Sequence, residues 1–100
     1  MPQSNQLDTA RVLTNFRAAA VTAGIITTAQ MDAVRLELVS GERIEQLVQH
    51  EVHVERCACP GCQRSQEFFA LIIDEEQVSR VQIRLLAKLF NFQLQKGELK

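Results

Sequence analysis

The sequence predicts a small, mainly α domain of about four helices, with a zinc knuckle set between the third helix and the C-terminal helical segment. Three observations carry that expectation. Apolar residues recur at helical spacing near both ends of the chain. Helix-forming Ala, Leu, Gln, Glu and Arg dominate an aliphatic composition that has five Phe but no Trp or Tyr. All three Cys and both His fall within residues 50–62, HEVHVERCACPGC. The alternative is an α+β arrangement in which a short hairpin surrounds the knuckle.

Residues 1–6, MPQSNQ, are polar and expected to be disordered, which leaves 7–96 as one zinc-stabilised domain. Asp8 suits an N-cap, and Val12, Phe16, Ala19, Ala20 and Ala23 then mark a first helix that Gly24 can stop. Thr27 with Gln30 resembles a capping box, after which Met31, Val34 and Leu38 define a second helix broken at Ser40-Gly41. From Glu42, the set Ile44, Leu47, Val48 and Val52 predicts a third helix whose end carries the histidines. Past the knuckle, Ser65 can cap QEFFALII (66–73), which is apolar on both sides and which periodicity assigns to neither strand nor helix. Asp74, with Glu75, Glu76 and Gln77, is the clearest helix start in the chain, and the last helix is expected to run from there to about Gln95, before Gly97.

The chemistry concentrates in the knuckle. In Cys59-Pro60-Gly61-Cys62 the proline fixes φ after the first thiolate and the glycine can take a positive φ before the second, so both sulfurs can turn toward one ion. Cys57 is near enough to add a third. A helix reaching Cys57 would stack His50, His53 and Cys57 on one face. The expected ligands of a tetrahedral Zn2+ are therefore His53, Cys57, Cys59 and Cys62, with His50 as reserve or as the group that orients a ligand. An iron–sulfur cluster would use the same residues and is less favoured than zinc. Three Cys suit a disulfide framework poorly, and the strand-then-helix context expected of a redox pair at Cys59 and Cys62 is not evident in the sequence.

Composition narrows the function classes. Eleven basic and twelve acidic residues give a net charge of −1, so no global field draws the chain to nucleic acid or to anionic lipid. No apolar run is long enough to span a bilayer and the N-terminus lacks secretory character, so a cytoplasmic location without membrane contact is expected. Neither HExxH, GxSxG nor a phosphate loop occurs, no small-molecule substrate is evident, and zinc-bound thiolates are not free nucleophiles, all of which argue against an enzyme. The last helix is apolar around much of its girth. Leu86, Leu89, Phe90 and Phe92 are the expected contact surface for a protein partner or a homodimer. The expectation is a zinc-binding adaptor or regulator. The second reading is a nucleic-acid-binding zinc protein that gathers Arg56, Arg64, Arg80, Arg84 and Lys88 into one basic patch.

Overall fold

A computed structural model of the chain describes residues 9–95. The expected disordered stretch 1–6, the cap at Asp8 and the stop at Gly97 lie outside those residues. The order of elements is α1 (Thr9–Thr22), a 3₁₀ helix (Thr28–Ala33), β1 (Val34–Ser40), α2 (Gly41–Leu47), β2 (Val52–Arg56), α3 (Pro60–Ser65), β3 (Glu67–Asp74) and α4 (Arg80–Gln95). The fold is therefore a small α+β architecture, and the mainly α reading is corrected: the described residues are 56% helical, yet a three-stranded antiparallel sheet organises the packing.

Strand β3 lies between β1 and β2 and is antiparallel to both. Strands β1 and β2 thus run the same way on either side of it, joined by α2, while residues 57–66 turn β2 back into β3. That central position explains the ambiguity of FFALII. A strand buried on both faces reads as a continuous apolar run with no period of two. Phe69, Leu71 and Ile73 of β3, with Val34 and Leu36 of β1, face α1 and α4. Phe68 and Ala70 face the other way, with Val39 and Ile44.

Three aromatic rings join the layers. Phe90 of α4 meets Phe16 of α1 edge-on at 6.3 Å between centroids and stacks on Phe69 of β3 at 5.9 Å. Arg17 ties α1 to the sheet by donating from both Nε and Nη2 to the Val34 carbonyl, at 3.0 and 2.7 Å. Gly24 ends α1 as expected. Its φ of 77° allows the Ile25 N–H to reach the Ala20 carbonyl at 2.9 Å and its own N–H to reach Val21 at 3.0 Å, closing two orphan acceptors.

The expected second and third helices are corrected too. Thr27 and Gln30 do start a helical turn, the Thr27 N–H donating to Gln30 Oε1 at 3.1 Å, but it ends at Ala33. Val34 and Leu38 are four apart and fit either period; Leu36 between them, flanked by Arg35 and Glu37, decides for a strand. Helix α2 is capped by Ser40, whose hydroxyl accepts from the Arg43 N–H at 3.1 Å, and stops at Leu47, so β2 occupies the residues expected to carry the third helix onward. Val52 and Val54 are β-branched and pair with Asp74 and Ile72 of β3.

Helix α4 begins six residues later than expected. Asp74 instead makes a turn at the end of β3, accepting from the Glu76 N–H and the Gln77 side chain, each at 2.9 Å. The capping box belongs to Ser79 and Gln82: the Gln82 N–H donates to the Ser79 hydroxyl at 3.1 Å, and the Ser79 N–H to Gln82 Oε1 at 2.8 Å. The Gln82 amide also donates to the Ile25 carbonyl at 3.1 Å and to Gln30 Oε1 at 2.8 Å, fastening α4 to the 3₁₀ segment.

Candidate metal centre

The turn between β2 and β3 builds the site. Cys57 prolongs the β2–β3 ladder, its N–H donating to the Phe69 carbonyl at 2.8 Å, and its side chain is buried against the core. Two residues on, Cys59 takes an extended conformation and caps α3, with Pro60 in the first turn; its Sγ accepts from the Cys62 N–H at 3.5 Å. One helical turn then carries Cys62 back over Cys59, and Gln66, at φ 60°, closes α3 and returns the chain to β3.

These constraints gather the three Sγ atoms of Cys57, Cys59 and Cys62 within 4.8 Å of one another. A tetrahedral ion with Zn–S bonds of about 2.3 Å sets its sulfurs roughly 3.8 Å apart, so a contraction of about 1 Å or less closes three thiolates around it. Burial pushes the Cys62 thiol up from its ordinary value, hydrogen bonds with Cys59 and Cys57 push the same way, and the Phe69 backbone N–H bonding to its sulfur pulls it down. Backbone donors thus already point at two of the three sulfurs. Gly61 departs from expectation: it sits inside α3 without a positive φ, because the extended Cys59 and Pro60 make the turn, and a β-carbon there would meet only Cys59 Sγ at 3.9 Å.

The histidines stand apart from the sulfurs. His53 is in a strand, not on a helix with Cys57, and four residues of strand put about 13 Å between their α-carbons. Its Nε2 pairs with Glu55 Oε2 at 2.9 Å, and its ring lines a cleft of about 350 Å³ with Glu75, Val78, Arg80 and Ile83. His50 is exposed before β2, farther still along the chain. Among the described residues the group able to hold a metal is the three cysteines. Sequence reasoning missed the part played by Phe69, whose N–H and carbonyl clamp two cysteines; main-chain groups leave no compositional trace.

The other expected surfaces also change. Leu86 and Phe90 are 0% exposed and belong to the core, with Leu89 packed against it, so of the four residues expected to meet a partner only Phe92 is open to solvent. The outward apolar positions of α4 are Val81, Leu85 and Phe92. Arg80, Arg84 and Lys88 do line an exposed stripe of α4. Arg56 lies elsewhere, its guanidinium 4.8 Å above the ring of Phe68, on the sheet face opposite α4. The five-residue basic patch therefore does not assemble.

No protein-family model, curated protein or solved structure matches the chain, so the functional reading rests on the site itself. No helix among the described residues is long and apolar enough to cross a membrane.

Proposed function

We propose that this chain is a small zinc-binding adaptor or regulatory protein of the cytoplasm, in which Cys57, Cys59 and Cys62 hold Zn2+ and fix the β2–β3 turn. The observation that supports it is the convergence of three sulfurs from six consecutive residues to within 4.8 Å. Soft thiolate donors favour zinc or cuprous ion over magnesium or calcium, and the N–H groups on Cys59 and Cys62 stabilise negative sulfur. Three thiolates on Zn2+ leave a net charge of −1, which weakens its Lewis acidity; that argues for a structural ion and against a hydrolytic one. Val81, Leu85 and Phe92 offer an apolar strip on α4 for a protein partner.

Zinc titration of the parent, Cys59→Ser and Cys62→Ser proteins tests the reading. The parent should take up one ion per chain and gain about 2.7 kcal/mol of stability when free zinc is a hundredfold above the dissociation constant, which is a rise of several degrees in Tm. Both variants should lose the uptake and the rise. Equal zinc-induced stabilisation of all three proteins would refute the site.

A further inference from the structure

We propose that the fourth zinc ligand is the partner subunit's His53, delivered when two copies of this chain pair antiparallel along their β2 edge strands. The inference deepens the zinc reading and rests on it. Three thiolates fill three corners of a tetrahedron, and a Cys₃His shell is a closed structural one. A fourth thiolate would raise the net charge from −1 to −2, so a neutral imidazole is the better complement. The two imidazoles of the chain stand at the start of β2 and just before it, while the cysteines begin at the residue after its end. Within one copy that separation keeps them apart. Antiparallel pairing of β2 with a second β2 reverses it, setting the start of each strand beside the end of the other.

The edge is built for such pairing. Strand β2 lies at one side of the described sheet, with only β3 as its neighbour. The bond from the Cys57 N–H to Phe69, like that from the Glu75 N–H to the Glu51 carbonyl, shows that odd-numbered residues of this stretch turn their main-chain groups toward β3. Val54 and Arg56 turn theirs to the open side. A two-fold axis through Val54 pairs all five residues of each strand. It sets His53 opposite the partner subunit's Glu55 and Arg56 opposite the partner subunit's Val52, with no like charges facing. His53, Glu55 and Cys57 share one sheet face. The partner subunit's His53 is then diagonal to Cys57, a separation of about 7–8 Å that a histidine side chain spans. Its contact with a carboxylate, seen here with Glu55 at 2.9 Å, is the kind that orients a zinc-bound imidazole. Binding releases three thiol protons per ion, and the imidazole enters neutral. Two equivalent sites form, one at each end of the shared strand pair.

Molar mass and cobalt absorption of the full chain test this together. The zinc-loaded protein should have twice the mass of the chelated one, and Co2+ in place of zinc should show a tetrahedral spectrum. His53→Ala should keep the ion on its thiolates but halve the mass and change the spectrum, while His50→Ala should do neither. Circular dichroism of each variant guards against misfolding. As a second arm, mixing His53→Ala with a variant carrying Cys57→Ser, Cys59→Ser and Cys62→Ser should restore one tetrahedral site per pair, since each supplies what the other lacks. A metal-loaded protein that is monomeric, or whose spectrum is indifferent to His53→Ala, overturns the pairing and leaves the zinc reading standing. Absence of metal uptake by the parent overturns both.

Discussion

Cys62 is partly buried and packs against both halves of the core, while its sulfur accepts the Phe69 N–H. That position has a pH consequence of definite sign. Its thiol is raised above the ordinary 9.0, chiefly by burial, so the metal-free protein keeps this thiol neutral at pH 7 and should lose stability as pH climbs from about 9 through the raised folded value. Zinc must displace protons from the same sulfurs, so its affinity should fall steeply as pH drops from about 8 to 6. Calorimetry in buffers of different ionisation enthalpy should count about three protons released per ion; a count near zero would mean the thiols are not the ligands. At Gly61 the expected outcome is tolerance. A β-carbon there meets a single sulfur at ordinary contact distance, so Gly61→Ala should keep metal binding and parent-like stability, measured by zinc titration and thermal melting. The spacing CACPGC made the sulfur cluster legible from the sequence, because a proline-led turn brings Cys59 and Cys62 together by local geometry alone. The placement of His53 was not legible, since it depends on whether residues 48–56 continue a helix or open into a strand.

Among the elements, α1 and its Gly24 stop are readable because propensity, spacing and stop signal agree. Strand β1 is misread by spacing alone, as Val34 and Leu38 satisfy a helix while Leu36 satisfies a strand. The two cap sequences ahead of α4 compete, and the second wins because the Gln82 side chain also bonds to both Ile25 and Gln30, whereas the Gln77 side chain reaches only Asp74 and Gln77 meets Gln30 through its main-chain carbonyl. Ser79→Ala should therefore cost about 1 kcal/mol in thermal unfolding. Asp74→Ala should leave the start of α4 unchanged, as followed by amide protection of the 80–84 segment. Protection lost at 80–84 in Asp74→Ala alone would place the helix start where the sequence first suggested it.

For the molecule as a whole, α4 is apolar on both sides and only the sheet decides which side goes in. Phe90 contacts Phe16 and Phe69 and is fully enclosed, whereas Phe92, two residues on, is 54% exposed. Phe90→Ala should cost roughly 3–5 kcal/mol and Phe92→Ala much less, and denaturant unfolding will rank them. A sequence without structure cannot make that ranking, because the inward face of a helix is set by the partner it packs on. The donor shell of a bound ion is the direct signature of the three-cysteine cluster. X-ray absorption at the zinc edge of the purified, zinc-loaded protein should show three sulfurs at about 2.3 Å with one lighter donor at about 2.0 Å. A shell made mostly of oxygen or nitrogen, or a well-folded protein that takes up no zinc, would contradict it.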